Sequence, residues 1–93
     1  MIKSFGDKAT AALFHGRGCD PRWQRFERVA LRKLLMVNAA ASLHDLKSPP
    51  NNRLEALKND RLGQHAIRIN GQYRVCFVWN DGHAEQVEIV DYH

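Results

Sequence analysis

The chain carries three consecutive polar residues, Asp91, Tyr92 and His93, at the end of its predicted last β-strand. Four cations precede them in the stretch 54–79, namely Lys58, Arg61, Arg68 and Arg74. Cleaving RNA without a metal requires cations that stabilise charge on the phosphate, together with groups that move two protons. The residue types in these two stretches could supply both requirements.

Each part of this chemistry has candidate residues. When the 2′-hydroxyl of RNA attacks the adjacent phosphate, one group must accept its proton and another must protonate the 5′-oxygen. An unperturbed histidine can do either near neutral pH, which makes His93 a candidate, and each positioned proton-transfer group contributes about 10²–10⁴ in rate. Arg74 and Lys58 would stabilise the charged phosphorane. The alternative interpretation, that His93 is only a solvent-exposed terminal residue without a catalytic role, carries comparable weight.

Alternating apolar residues predict three strands, at 65–69, 73–79 and 84–92, that would position these groups. The apolar set falls on odd positions: His65, Ile67, Ile69, Tyr73, Val75, Phe77, Trp79, Val87 and Ile89. Because side chains alternate across a strand, these residues should share the core face. Three-residue loops at 70–72 and 81–83 satisfy that rule, whereas a two-residue turn at 70–71 would mix the faces.

This register predicts that Arg68 lies directly opposite Arg74. Val90 would lie opposite Arg74 on its other side, with Tyr92 one diagonal step away. Like charges that face each other across a ladder are destabilising. Either an anion between the arginines or neutralisation by Glu88 would explain the pair, and the two explanations carry equal weight.

The N-terminal half predicts a strand at 1–5 and a short helix from Asp7 to about residue 15. A longer helix should begin with Asp20 as N-cap and Pro21 at its first position, and run to about Ala41. Its apolar face recurs at three- and four-residue steps: Trp23, Phe26, Ala30, Leu34, Val37 and Ala41.

A stripe of arginines lies elsewhere on this predicted helix: Arg22, Arg25, Arg28 and Arg32. Such a stripe is more often a solvated face than a binding surface. Beyond the helix, consecutive prolines predict a loop at 48–52, after which Leu54 and Leu57 should anchor a short irregular segment.

Composition predicts one globular domain over residues 1–93 with a modest core. The net charge is +4, the pI is near 9.4, and nine of the fourteen cations are arginine, which favours contact with nucleic-acid phosphates. Two cysteines, Cys19 and Cys76, are too few for a disulfide framework. We therefore expect a reduced, cytoplasmic protein without a membrane span, in which Cys76 is a small buried apolar residue.

Histidines and cysteines do not form a convincing metal site, and no cofactor is expected. His83 and His93 would lie at opposite ends of one strand, and His15 with Cys19 makes only two ligands. What remains is a sheet face with Arg68, Arg74 and Tyr92. It would be bordered by Glu55, Lys58, Asp91 and His93.

Four segments together resemble the HigB-type killer toxins of the RelE/ParE toxin superfamily. They are the opening MIKSF, the block LEALKND at 54–60, the run IRINGQYRV at 67–75 and the terminal DYH. The resemblance spans nearly the whole chain. It implies an α+β, RelE-like fold with an N-terminal strand, two helices and an antiparallel sheet of three further strands.

The same resemblance implies the activity and the partners. Members of the family are ribosome-dependent endoribonucleases that cut messenger RNA in the decoding site. They are neutralised by a helix-turn-helix antitoxin (HigA-like), through which alone they contact operator DNA. The cleavage roles would fall on Lys58, Arg74, Asp91, Tyr92 and His93, and phosphate binding on Arg61, Arg68 and Lys58. Some members have histidine where this chain has Glu55, so Glu55 either replaces that base or orients Lys58.

Two other functions fit the same pattern. ParE-like relatives share the fold but poison DNA gyrase through protein contacts, without catalytic residues. In a non-catalytic RNA-binding module, the arginines would only hold phosphates. The terminal Asp91, Tyr92 and His93 favour the nuclease.

Overall fold

An antiparallel sheet with a helical layer against one face makes up the fold of the computed structural model, which describes residues 1–92. The four strands follow the order β1–β2–β3–β4. They are β1 (Glu55–Ala56), β2 (Gln64–Arg68), β3 (Tyr73–Asn80) and β4 (His83–Asp91), and the helices are α1 (Lys8–Phe14) and α2 (Glu27–Ala39). Short 3₁₀ helices cover Pro21–Phe26, Leu43–Lys47, Pro50–Asn52 and Asn59–Arg61. The predicted α+β class is confirmed.

Side-chain caps explain where the helical segments begin. The Asp7 carboxylate accepts a hydrogen bond from the Thr10 amide at 2.7 Å, and Asp20 accepts one from the Arg22 amide at 2.8 Å. The N-cap prediction at Asp20 is therefore confirmed. Hydrogen bonds from Arg22 lower the pKa of the Asp20 carboxyl.

The predicted single α-helix from Pro21 to about Ala41 is wrong at its start and ends two residues earlier than predicted. Its first six residues are 3₁₀ helix, and Phe26, at φ −127° and ψ 28°, leaves the helical region and separates them from α2. The C-terminal end comes at Ala39, since Ala40 is extended at φ −65° and ψ 133°. Ala41, which was predicted on the apolar face, is exposed.

The N-terminal segment lies along the outer edge of β4. Ile2 and Phe5 form isolated parallel bridges with Ala84 and Val87. The Lys3 amide donates to the Ala84 carbonyl at 2.7 Å. The predicted strand at 1–5 is thus a parallel edge segment held by separate bridges.

The main core lies between the helical layer and the odd face of the sheet. Its buried members include Trp23, Ala30, Leu34, Val37, Ile67, Val75, Phe77 and Val87. A smaller cluster of Leu57, Ala66 and Cys76, with Val90 against it, lies apart from that core. Pairing of β1 with β2 brings the first of these residues over the sheet, although the sequence predicted only an irregular segment there.

The predicted register between β2 and β3 is confirmed. Ile67 pairs with Val75 and Arg68 with Arg74, which leaves a three-residue loop at 70–72. The Asn70 side chain closes this loop by accepting hydrogen bonds from the Gln72 and Tyr73 amides, both at 2.8 Å. An asparagine that bonds its own turn in this way is typical of tight loops.

The predicted three-residue loop at 81–83 is wrong. Asn80 pairs with His83, so the turn contains only Asp81 and Gly82, which have φ of 51° and 80°. Two positive φ angles fit the twist of a two-residue hairpin turn. A bulge then adds one residue to β4 at Gln86, whose φ is 53°.

The turn and the bulge compensate for each other in the register. Below the bulge, Arg74 pairs with Val90, as predicted, and Tyr73 pairs with Asp91. Without the extra residue, the end of β4 would present its opposite face. The bulge therefore determines which side of the sheet receives Tyr92.

Among the described residues, no helix has the length and apolar character that crossing a bilayer requires.

We predict that Gln86→Gly stabilises the protein. A non-glycine residue in the left-handed region costs about 1–2 kcal/mol, and glycine avoids this at an entropic cost of about 0.5–1 kcal/mol. The free energy of unfolding in urea should rise by up to about 1 kcal/mol. The matched control Glu85→Gly, in regular strand, should lower it. Equal destabilisation by both substitutions would contradict the role assigned to the bulge.

Candidate active site

A shallow depression opens where the end of β4 meets the turn that follows β1. It has a volume of about 470 Å³ and is lined by Leu57, Lys58, Asn59, Asp60, Arg61 and Tyr92. Three of the predicted site residues, Lys58, Arg61 and Tyr92, are therefore brought together. Leu57 forms the buried floor at 5% exposure, whereas Tyr92 is 37% exposed.

Arg74 lies against the Tyr92 ring, with its Cζ atom 5.0 Å from the ring centroid. Its Nη1 atom donates to the carbonyl oxygens of Asn70 at 2.7 Å and Tyr73 at 3.2 Å. These bonds leave the Nε and Nη2 donors without hydrogen-bond partners among residues 1–92. An arginine held at one nitrogen keeps the donors that a phosphate would need.

The Arg68–Arg74 pair is accommodated in a way the sequence did not indicate. Neutralisation by Glu88 was one of the two explanations offered for the pair, the other being a bound anion, but Glu88 Oε1 pairs with Arg61 Nη2 at 3.2 Å. Two backbone carbonyls and an aromatic ring contact Arg74 instead. The turn carbonyls supply the negative partial charge that was expected from a carboxylate.

Arg61 is fixed from two sides. Besides its ion pair with Glu88, its Nη1 atom donates to Gln64 Oε1 at 3.0 Å. The guanidinium thus reaches from the loop after β1 across to β4. Because both partners come from the sheet, Arg61 is positioned at the depression more firmly than an exposed arginine would be.

Cys76 is fully buried, as predicted. Burial is the main cause that raises the pKa of its thiol to about 11; Glu88 raises it further by a smaller amount, and Arg61 and Arg74 lower it. A thiol with that pKa stays protonated at neutral pH and is a poor nucleophile. Cys76 therefore serves as packing beneath the cations.

Lys58 and Glu55 are both exposed. Glu55 pairs with Ala66 in the ladder, but its carboxylate makes no hydrogen bond or ion pair within the part of the chain that the structure describes. It is also absent from the lining of the depression. Among the described residues, no hydrogen bond or ion pair joins Glu55 to Lys58, so both roles suggested for Glu55, as a base or in orienting Lys58, stay predictions.

Asp91 lies on the far side of Tyr92, beside the loop between β2 and β3. Its Oδ2 atom accepts a hydrogen bond from Gln72 Nε2 at 3.0 Å. The Gln72 carbonyl in turn accepts from the Tyr92 amide at 2.6 Å. Gln72 thus holds the end of β4, a role that was not predicted from the sequence. His93 lies outside the described residues.

Arg68 is opposite Arg74 in the ladder but does not line the depression. It contributes instead to a second cavity beside α2. The predicted phosphate-binding residues are therefore divided between two surfaces. Within residues 1–92, no group of three or more histidine, cysteine or carboxylate side chains could hold a metal ion.

The arrangement can stabilise an anion and stack a flat group. Lys58, Arg61 and Arg74 surround the exposed Tyr92 ring or the depression beside it. Side chains capable of proton transfer are Lys58, Asp60 and Tyr92 in the lining of the depression and Asp91 next to Tyr92 in the chain. Aromatic rings such as that of Tyr92 stack nucleobases.

Comparison with known proteins identifies the family. Residues 3–93 match the family described as the RelE-like toxin of the type II toxin–antitoxin system HigB. The chain is 45% identical over 56 residues to Toxin HigB-1 of Vibrio cholerae serotype O1, a match that covers 60% of this chain and 59% of that protein. The matches span 59% and 54% of the length of the first two curated relatives.

Solved structures agree on the fold. A heterotetrameric YoeB–YefM toxin–antitoxin complex from Staphylococcus aureus superposes with a TM-score of 0.58 at 15% identity, covering 100% of this chain and 98% of the matched one. A YoeB/ParE toxin from Agrobacterium tumefaciens gives 0.56 at 16% identity, covering 99% and 100%. At such low identity these likenesses bear on the fold alone. Because the family match covers nearly the whole sequence, the chain belongs to the HigB-like, RelE-type toxins of type II toxin–antitoxin systems.

Proposed function

We propose that this toxin is a ribosome-dependent, metal-independent endoribonuclease that cleaves messenger RNA in the decoding site and halts translation. The observation that carries the proposal is the Arg74 guanidinium stacked on Tyr92. It lies beside a depression that contains two further cations, Lys58 and Arg61. Three cations around one exposed aromatic ring suit a phosphodiester next to a stacked base.

The proposed reaction is transesterification within the RNA. The 2′-oxygen forms a bond to phosphorus while the bond from phosphorus to the 5′-oxygen breaks, leaving a 2′,3′-cyclic phosphate and a 5′-hydroxyl. Arg74 and Lys58 would stabilise the phosphorane, and Arg61 with Arg68 would hold neighbouring phosphates. Protons would move through Asp91, Tyr92 and His93, with Glu55 as a further candidate base.

Dependence on the ribosome is supported by the openness of the depression. Lys58 and Tyr92 are exposed, and Glu55 makes no polar contact with any described side chain. A site with so little enclosure does not hold a flexible RNA in the reactive geometry by itself. A message already ordered in the decoding site would arrive with that geometry largely established.

We also propose that a HigA-like, helix-turn-helix antitoxin neutralises this chain and alone contacts operator DNA. The exposed arginines at the 3₁₀–α2 junction support a partner surface there. A groove of about 410 Å³ runs beside Arg25, Phe26 and Arg28. A toxin of similar fold, YoeB, is found in a complex with YefM.

We predict that Arg74→Ala lowers the single-turnover cleavage rate of a ribosome-bound message about 10²–10³-fold, as losing one preorganised donor does. Growth inhibition should fall in parallel. Arg74→Lys should recover only part of the rate, because an ammonium group cannot both stack and bond as the guanidinium does. The same message free in solution should be cut little or not at all.

The matched control is Arg17→Ala, which removes an exposed arginine that does not line the depression. It should retain full activity. Melting curves should show that Arg74→Ala remains folded. Its cation–π contact contributes about 0.5–1 kcal/mol, its two hydrogen bonds to turn carbonyls about 0.5–1.5 kcal/mol each, and no member of the main core is changed. Full toxicity of a folded Arg74→Ala would overturn the proposed site, and accompanying DNA damage would favour a gyrase poison.

The antitoxin surface makes its own prediction. Charge reversal at Arg25 and Arg28 should raise the dissociation constant of the cognate antitoxin at least tenfold, because the proposed contact is electrostatic. Charge reversal at Arg53, which lies beyond α2, should leave that constant unchanged. Titration calorimetry measures the dissociation constant of the antitoxin for both variants and for the natural chain. If the Arg25 and Arg28 variant bound as tightly as the natural chain, the antitoxin would have to bind elsewhere.

A further inference from the structure

A second cavity lies between α2 and the end of β2. Its volume is about 370 Å³, and three of its lining residues are cations, Arg32, Lys33 and Arg68. Asn51 and Asn70 contribute amide groups to the same wall. The described lining contains no carboxylate, so its electrostatic character is strongly positive.

Lys33 is the buried member of this group, with only 7% of its surface exposed. Its Nζ atom donates to Asn52 Oδ1 at 2.6 Å. Asn52 is fully buried and is oriented by its own bonds from Nδ2 to the carbonyls of Leu46 at 3.1 Å and Ser48 at 3.2 Å. These two bonds orient the Asn52 amide so that its oxygen faces Lys33, and this oxygen holds the Lys33 ammonium at a fixed position.

The charge of Lys33 is not balanced inside the protein. A lysine has three donors, and within residues 1–92 only Asn52, a neutral group, accepts a hydrogen bond from it. Burial, together with the charge of neighbouring Arg32, lowers its pKa. Neither Arg32 nor Arg68 forms an ion pair with any of the described carboxylates. Buried charges are normally paired, so an anion in the cavity would supply what is missing.

We propose that this cavity binds a backbone phosphate of an RNA strand, at a position separate from the phosphate held by Arg74. The two places are neighbours through Arg68, which pairs with Arg74 in the ladder, and through Asn70. Asn70 lines the cavity, and its carbonyl accepts a hydrogen bond from Arg74. One strand could therefore contact both surfaces. That the ligand is RNA rests on the proposed function, whereas the anion site itself does not.

The first experiment uses inorganic phosphate and thermal melting. Phosphate should raise the Tm of the natural chain in a concentration-dependent manner, since a ligand that binds only the folded state stabilises it. Lys33→Met and Arg32→Gln should lose this rise. The matched control Arg17→Gln, at an exposed position outside the cavity, should keep it.

The second experiment measures binding of a short oligoribonucleotide without ribosomes, by fluorescence anisotropy at several salt concentrations. Losing one phosphate contact should weaken binding and reduce the slope of log affinity against log salt by about 0.7. Lys33→Met and Arg32→Gln should show this loss, and Arg17→Gln should not. No cleavage is needed, so failure of the proposed nuclease activity would leave this result unaffected.

The outcomes separate the possibilities. Loss of both phosphate stabilisation and RNA affinity in the two cavity variants alone supports the proposal. Loss of phosphate stabilisation with unchanged RNA affinity overturns it in favour of a small-anion site. Unchanged RNA affinity with weaker antitoxin binding overturns it in favour of an acidic protein group. If all three variants behave like the natural chain, the cavity is not an anion site.

Discussion

The register of β2, β3 and β4 is the constraint on which the rest of this structure depends. Because side chains alternate across a strand, a slip of one residue would exchange the core face with the outer face. In the observed register, Val75 and Ile89 enter the core while Arg74 and Val90 pair on the outer face. The same pairing that buries the core therefore delivers the candidate catalytic arginine to the surface.

The outer face of the sheet combines a small apolar cluster with cations that are held by fixed partners. Leu57, Ala66 and Cys76 form a small apolar cluster there, and the loop after β1 covers it. Arg61 is tied to Gln64 and Glu88 nearby, and Arg74 to the carbonyls of the turn. Cations held by fixed partners above an apolar floor interact more strongly with a phosphate than cations surrounded by water. This packing is what gives a shallow depression its chemical character.

Local patterns in the sequence were sufficient to predict much of this arrangement. The alternation in β2 and β3 predicted that Arg68 faces Arg74, because a three-residue loop was the only short connection that kept Ile67 and Val75 on one side. The cap at Asp20 was also predictable, because its hydrogen bond to the Arg22 amide joins residues only two positions apart. By contrast, the bulge at Gln86 was not, because no glycine marks it and its left-handed backbone is imposed by pairing on both sides.

Contacts between distant residues explain what the sequence could not predict. Glu88 pairs with Arg61, which is 27 residues away, although Arg68 and Arg74 seemed equally good partners before the loop after β1 was placed. Lys33 reaches Asn52 across 19 residues, so an apparently ordinary helix lysine is buried in a positive cavity. Charge alone does not choose between such partners. The choice follows from which segments pack together, and that depends on the whole fold.

The central claim is that RNA attacks its own backbone at the surface formed by Arg74 and Tyr92. The most direct measurement compares two messages on purified ribosomes, identical except for a single 2′-deoxy sugar at the mapped cleavage position. The all-ribose message should be cut to a 2′,3′-cyclic phosphate and a 5′-hydroxyl, and the deoxy message should stay intact at that position. Cleavage of the deoxy message there, or products that end in a 3′-hydroxyl, would contradict the account.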